Sequence, residues 1–443
     1  MNAIIVSLKK INHKMFWSLL CLNILPTLYT TLRIFFLGQL PNEWAYSIAG
    51  QLNWLNLIYE IFTEAIILPL YFFIGKVCDN KEELNNQVKS GLLFTLLIFV
   101  ALSFFIIVFV HPLLNFMAVN QELIAASASY IRIESIANIF SILGNFTLVV
   151  LVSLNQKKWI YILTFIKVSL IMISDTFLLS NLPFSLNLGV NGIGYSNIIV
   201  NILLLAYTVY ILSKEGIQVF SAKKLSFSWL KELFKIGGLS GLESLIRNLA
   251  YMIMIVRMIN VVNEQGVYWV ANSFIWGWLL IPVLQLAELV KRDCGMEKER
   301  AIEEKTLGYF TLTGLIVLIW FITIPLWKPF MSIILHYSNV DTLFNLILLL
   351  LGFYILFAFQ NICDATFYGM GKTNYMIFQT IVTNCIYYGG AYILYLQNMW
   401  NPSLTGIALL FGGGIAFDAV VTFIAYWYYL KKNKITLVTL TNN

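Results

Sequence analysis

Charge is what this sequence has least of. Of its 443 residues only 11% are Asp, Glu, Lys or Arg, against about 25% in an ordinary soluble domain. A water-soluble fold of this length has too few charges to cover its surface, which excludes a secreted enzyme, a cytosolic enzyme and a nucleic-acid binder. Cysteine is sparse as well. Cys21, Cys78, Cys294, Cys363 and Cys385 are too few and too scattered for a disulfide framework. There is no CxxC pair and no His-rich tract, and His13, His111 and His336 lie far apart, so no metal site is expected. A GxxxxGKS segment is missing too, which argues against ATP as the direct energy source. The formal charge of +6 does not point to nucleic acid, because Lys and Arg are dispersed over short loops rather than gathered in a basic arm.

What fills the chain is apolar: 59% of residues are hydrophobic and 15% aromatic. A helix needs about 20 mostly apolar residues to cross the hydrocarbon of a bilayer. Twelve such runs are found, at 15–38, 54–75, 91–113, 126–152, 158–180, 190–213, 232–260, 267–290, 307–328, 340–369, 374–397 and 405–430. The first is too long for a signal-peptide core and is read as a membrane helix. With the N-terminus inside, the loop lysines and arginines fall on the cytoplasmic side, and the outer loops keep Lys328 alone. The positive-inside rule therefore sets twelve spans with both termini cytoplasmic.

The only long polar link in the middle of the chain is 213–231, with six runs on either side. Matching positions recur across it. Pro69 and Pro282 coincide at an offset of 213, Asn145 and Asn361 at 216, KKWIY from 157 and TNYMI from 373 at 216, and Gly192 and Gly406 at 214. Each half has an even number of spans, so the repeats are parallel and related by an axis along the membrane normal. The expected architecture is all-α and polytopic: an N-terminal six-helix lobe at 1–212, a cytoplasmic linker at 213–231 and a C-terminal six-helix lobe at 232–443. Two such bundles enclose a cleft, and rocking them opens it to alternate sides.

An ionisable group in hydrocarbon costs about 2.5–3.5 kcal/mol on insertion scales, so each needs a partner or a wet cavity. The spans hold Glu60, Glu64, Glu134, Asp175, Glu243, Asp364 and Asp418 against Arg33, Arg132, Lys167, Arg247 and Arg257. That many charges imply a polar interior. Arg33 and Arg247 coincide at an offset of 214, each on the first helix of its half. They are candidate contacts for an anionic substrate or headgroup, since Arg binds carboxylate and phosphate bidentately; the alternative is local neutralisation, Arg247 by Glu243 four residues earlier. Glu60 and Glu64 share one helix face, and carboxylates that close do not both ionise cheaply. They form a candidate proton or sodium site unless Arg33 neutralises one. Asp364 and Asp418 lack a nearby base and are coupling candidates. Lys167 either pairs with Asp175 or snorkels. Asn138, Ser141 and Asn145 form a polar stripe, matched by Gln360, Asn361 and Asp364 in the tenth run. Trp276, Trp278, Tyr368, Tyr387 and Tyr388 either line a binding chamber or pack as interfacial belt.

Several segments resemble the multidrug and toxic compound extrusion (MATE) transporters, within the superfamily that includes oligosaccharide-lipid flippases. These are LGVNGIGYSNII at 188–199, FFLGQLPNEWAYSIAG at 35–50, IGKVCDNKEE at 74–83, YIRIES at 130–135 and YGMGKTNYMI at 368–377. The resemblance covers nearly the whole chain in order and spacing. It implies twelve helices in two six-helix lobes and export of organic compounds in exchange for protons or sodium. It also implies an acid on the first span five residues before a glycine, where this chain has Arg33 before Gly38. The family's seventh-span glutamate falls at Arg247. Asp175 is similar to the family's fifth-span aspartate.

The expectation is a non-enzymatic secondary exporter of the cytoplasmic membrane, a monomer whose partners are membrane lipids and a small organic substrate, with H+ or Na+ as coupling ion and no other cofactor. Substrate contacts are expected at Arg33, Arg247, Asn145, Asn361, Gln360 and Tyr368, and cation coupling at Glu60, Glu64, Asp175 and Asp364. A flippase whose arginines hold a lipid pyrophosphate, and a non-transporting scaffold or receptor, are the alternatives. A major-facilitator transporter is disfavoured because GKVCDNK stands where its G-x-x-x-D-R-x-G-R loop belongs.

Overall fold

The computed structural model describes residues 2–437 apart from 42–43, 155, 218 and 220–224, with backbone alone at Asn2, Ala3 and Lys157. The described residues form helices and no strand. A short helix α1 (Asn2–Lys10) is followed by α2 (His13–Gly38), α3 (Ala45–Val77), α4 (Lys81–Val108), α5 (Gln121–Ser153), α6 (Lys158–Leu178) and α7 (Asn191–Lys214). Then come α8 (Leu230–Val261), α9 (Gln265–Leu279), α10 (Ile281–Glu297), α11 (Glu299–Ile334), α12 (Val340–Gly369), α13 (Thr373–Ile381, continued by Val382–Tyr388 and Gly389–Leu396) and α14 (Leu404–Lys432). Part of the expected linker, 218 and 220–224, lies outside the described residues.

Ten of these helices are long and apolar enough to cross a membrane, and the pair α9–α10, bent by 53°, raises the number to eleven. The chain is a multi-pass membrane protein. The expected eleventh span, 374–397, is helical as α13, but Asn374, Gln379, Thr380, Thr383 and Asn384 dilute its apolar content. Twelve spans by composition therefore become ten or eleven by helix length and hydropathy.

Local chemistry sets the helix ends and bends. Asn80, Asn339 and Ser403 cap α4, α12 and α14 by accepting from backbone N–H groups three residues on. Pro26 lies inside α2, and Thr30 Oγ1 donates to its carbonyl at 3.0 Å. Wider π-type turns interrupt α8 at Met252–Val256 and α13 at Val382–Tyr388, and another ends α11 at Phe330–Ile334. Such turns rotate the side chains beyond them relative to an unbroken helix.

The helices gather into two compact units, Leu32–Gly266 and Met1–Thr31 with Val267–Asn443. Division by repeat places residues 232–266 with the second half, whereas packing groups them with 32–231.

In the first unit α5 packs against α4, α6 and α7, and α8 packs along α3. The α3–α8 contact depends on small residues, as is usual where membrane helices approach closely. A Cβ at Gly237 would overlap the Ala65 carbonyl, and one at Gly241 would press on the Ala65 methyl. Further along the same α8 face, Asn248 Nδ2 donates to the Leu57 carbonyl at 3.2 Å.

In the second unit α12 packs against α10, α11 and α14, and α13 lies against α12 and α14. Helix α1 packs on α11, where the Gly308 N–H donates to Ser7 Oγ at 2.8 Å.

Candidate functional site

Every intramembrane charge needs a local account, and the first unit supplies two clusters. Arg33, in the last turns of α2, donates from Nε to Asp175 Oδ2 at 2.6 Å and from Nη2 to Oδ1 at 3.2 Å. Its Nη2 also donates to Asn197 Oδ1 at 2.7 Å. The Asn197 amide in turn donates to both oxygens of Glu134, at 2.8 and 3.1 Å. Asp175 is fully buried and Glu134 nearly so. One guanidinium and one amide thereby link α2, α5, α6 and α7. Asp175 is thus taken by Arg33 rather than by Lys167.

The second cluster surrounds Arg247 on α8. Its Nη1 donates to Glu243 Oε1 at 2.9 Å, four residues earlier on the same helix. Its Nη2 reaches Glu64 Oε1 at 2.7 Å and Glu60 Oε1 at 3.3 Å across the glycine-mediated contact with α3. The two carboxylates of α3 therefore share one guanidinium, and Glu243 makes a third acid on it. All four groups keep some exposure, from 16% for Glu243 to 44% for Glu60.

Asn145, also in the first unit, is exposed and lines a cavity of about 80 Å³ between α5, α6 and α7. Lys167 is on the wall of the same cavity.

The second unit is arranged differently: its central cluster has acids and no base. Gln360 Nε2 on α12 donates to Asp418 Oδ2 on α14 at 2.5 Å and to Asp364 Oδ2 at 3.1 Å. Asp418 Oδ2 also accepts from Gln379 Nε2 at 2.8 Å, and its Oδ1 accepts from Thr383 Oγ1 at 2.6 Å. Thr383 lies in the π-type turn of α13, which brings its hydroxyl to Asp418. Among the described residues neither carboxylate has an ion-pair partner, and Asp364 Oδ1 and Gln360 Oε1 are buried without a hydrogen bond.

Asn361, one residue on from Gln360, faces elsewhere. It lines a cavity of about 570 Å³ together with Asn23, Gln285, Glu288, Lys291 and Arg292. That volume is within the roughly 300–1,000 Å³ of ligand sites. Asn23 Nδ2 donates to Gln285 Oε1 at 2.8 Å on its wall. The Asn361 amide nitrogen is buried with no partner among the described residues. Tyr368 is 46% exposed, and the Lys291 ammonium stands 5.3 Å from its ring centre.

Of the residues singled out from sequence, the structure brings together Arg33 with Asp175, Arg247 with Glu60 and Glu64, and Gln360 with Asp364. Asn145 and Asn361 line separate cavities. Sequence reading missed Asn197, Gln379 and Thr383, polar uncharged residues whose partners are 35 or more positions away. It also missed the link between α10 and α11, where Lys305 Nζ donates to Asp293 Oδ2 and Glu297 Oε1, both at 2.7 Å, and Tyr309 Oη donates to Asp293 at 2.7 Å. The wide polar spacing of Gln379 and Thr383 at i,i+4 was the available signal.

A bundle of membrane-length helices with charges held among them defines a polytopic membrane protein. Residues 23–178 match the MatE family. Among solved structures the chain is similar to an inward-facing multidrug resistance MATE family transporter of the MOP superfamily, at 18% identity and TM-score 0.71, over 92% of this chain and 99% of that one. An outward-facing structure of such a transporter matches at 18% identity and TM-score 0.64, over 98% and 96%. A MOP superfamily transporter from Pyrococcus furiosus Vc1, described as having a binding pocket of reverse polarity that suggests a different function, matches at 18% identity and TM-score 0.65, over 98% and 99%. No curated protein sequence matches. The chain has the fold of the MATE transporters, and in residues 23–178 that family's sequence pattern as well.

Proposed function

We propose that this protein is a secondary active exporter that moves small organic compounds out of the cytoplasm by alternating access, driven by inward flow of protons or sodium ions. It acts as a monomer in the cytoplasmic membrane with both termini inside, surrounded by membrane lipids and needing no other cofactor. The observation that carries the coupling reading is the pair Asp364 and Asp418: two carboxylates on one glutamine amide, without a base. A proton or a monovalent cation between them would offset their repulsion, and its arrival and departure would alter the contact of α12, α13 and α14. Glu60, Glu64 and Asp175 each have an arginine already, so they enter coupling only by exchanging it. The cavity beside Asn361 has the volume for the organic substrate, with Tyr368 nearby on α12.

A second reading, a flippase for anionic lipid headgroups, draws on Lys291 and Arg292 at that cavity and on the reverse pocket polarity described for the Pyrococcus furiosus relative. It would require Arg33 and Arg247 to release their acids if they are to hold the headgroup.

The test uses proteoliposomes with an imposed proton or sodium gradient and matched panels of lipophilic cations and anions. Gradient-driven transport of at least one organic probe is expected, with the gradient dependence lost in Asp364→Asn and Asp418→Asn while substrate exchange persists. Gradient dependence unchanged in both variants would overturn the coupling assignment. Movement of headgroup-labelled anionic lipid alone would favour the flippase.

A further inference from the structure

The acid pair of the second unit has a counterpart in the first, and its polarity is inverted. With the offset of 216 that relates Asn145 to Asn361, Gln360 corresponds to Gly144, Asp364 to Leu148, Gln379 to Leu163 and Thr383 to Lys167. With the offset of 214 that relates Gly192 to Gly406, Asp418 corresponds to Leu204 and Thr422 to Thr208. All six counterparts line the cavity of about 80 Å³ between α5, α6 and α7. The helices that hold the acids, α12, α13 and α14, pack on one another as α5, α6 and α7 do. Two acids and one glutamine are thus replaced by leucines and the other glutamine by glycine, while a threonine is replaced by a lysine.

That lysine has no acid. Asp175, two turns along α6, is held by Arg33, and among the described residues Lys167 makes no ion pair or hydrogen bond. An unpaired cation at membrane depth is costly unless something neutralises it. The other polar groups on the wall indicate what that is. Thr164 and Thr208 donate their hydroxyl protons to the carbonyls of Ile160 and Leu205, both at 2.9 Å. Among the described residues Ser141 and Asn145, on the same wall, donate to no other group. Having donated, both threonine oxygens are left to accept, as is the amide oxygen of Asn201, whose nitrogen donates to the Ala137 carbonyl at 3.4 Å; the donors left to meet a ligand on this wall are those of Lys167, Ser141 and Asn145.

We propose that this cavity binds a single anionic group, a carboxylate or a halide, on the Lys167 ammonium with Ser141 and Asn145 as further donors. A water needs about 10–15 Å³ of such space, so 80 Å³ admits one chloride or one carboxylate with a little water and excludes a whole drug-sized molecule. The anion is either a free ion or the charged head of an organic acid whose body lies outside, on the side of exposed Asn145. This site goes beyond the transport reading and is tested by equilibrium binding, so the two stand or fall separately.

The experiment is a thermal-shift and calorimetric titration of the full chain in detergent with chloride, acetate and 1-naphthoate, in a buffer whose only other anion is a bulky sulfonate and which contains no halide or carboxylate. Saturable binding of at least one probe is expected. Lys167→Met should weaken it about tenfold or more and Lys167→Arg much less, as for loss or retention of a charged hydrogen-bond donor. Removing an unpaired charge from the membrane leaves folding intact or improved. As a second variant, Gly144→Leu fills the cavity where an added Cβ meets nothing within 4 Å; it should abolish binding without lowering the ligand-free melting temperature. Chloride or acetate binding identifies a free-anion site, and binding of naphthoate alone identifies an organic acid. No binding by any probe, or binding indifferent to both Lys167→Met and Gly144→Leu, would overturn the proposal.

Discussion

Arg33 and Asp175 form a two-point ion pair inside the first unit, Nε to Oδ2 at 2.6 Å and Nη2 to Oδ1 at 3.2 Å, although 142 residues separate them in sequence. The carboxylate is fully buried and the guanidinium side chain is 13% exposed. Bidentate geometry and the extra bond to Asn197 satisfy most of what burial removes from both ions. The pair joins α2 to α6, and removing one partner would leave the other buried without its counter-ion.

A break in this pair is therefore expensive and a clean removal is not. Asp175→Asn strands a guanidinium and is expected to lower stability by about 3–5 kcal/mol, whereas replacing both residues by apolar ones of similar volume, Arg33→Met with Asp175→Leu, is expected to be near neutral. Thermal unfolding in detergent across the double-mutant cycle checks it. An Asp175→Asn single variant as stable as the parent would show that the pair contributes nothing.

The need for such partners was legible in the sequence; most of the partners were not. Glu243 and Arg247 are one helical turn apart, so spacing alone pairs them, and the structure does pair them. Glu60 and Glu64 were legible as two acids on one face. That Arg247 comes between them depends on the close approach of α8 to α3 through Gly237, Gly241 and Ala65, which no local pattern announces. Arg33 has no acid on its own helix, so sequence left a substrate or a distant partner open. Helices were readable from apolar runs, and α13 was the one whose polar residues, Gln379 and Thr383 among them, reduced its apolar character. Those same residues hold Asp418.

Close approach at Gly241 gives a second prediction. Gly241→Leu forces α8 away from Ala65 and should cost about 1–3 kcal/mol or more by overpacking. It should also pull Arg247 from Glu60 and Glu64. Gly238, one turn position away, meets nothing within 4 Å of an added Cβ. Gly238→Ala is thus expected to be neutral or stabilising by up to about 1 kcal/mol. Equal losses from the two substitutions would mean that helix propensity, not packing, sets the response.

Three acids on one base make Arg247 the vulnerable member of its cluster. Glu60 is 44% exposed and its bond is the longest of the three, so Glu60→Gln should change stability by less than about 0.5 kcal/mol. Arg247→Met leaves three carboxylates without a counter-ion. Its cost should be about 1–3 kcal/mol, below the 3–5 of a fully buried pair because the side chain is 36% exposed. Because that exposure lets salt screen the acids from one another, the loss should shrink as ionic strength rises. Unfolding measured at low and high salt separates this from a packing defect, which salt would leave unchanged.

Thr383 offers a way to read the charge on Asp418. Its hydroxyl donates to Oδ1 at 2.6 Å from within the π-type turn of α13, and Gln360 and Gln379 serve the other oxygen. Thr383→Val is close to isosteric and removes that donor alone, while Thr383→Ser keeps it. A hydrogen bond to a charged group contributes about 1.5–3 kcal/mol and one between neutral groups about 0.5–1.5. The stability difference between the valine and serine variants therefore reports the state of the carboxylate. If protons are the coupling ion and are carried on Asp418, the difference should fall as pH is lowered, with added sodium making no difference. If sodium is the ion, the difference should respond to sodium at constant pH. A difference that answers to neither would place the coupling ion somewhere other than on Asp418.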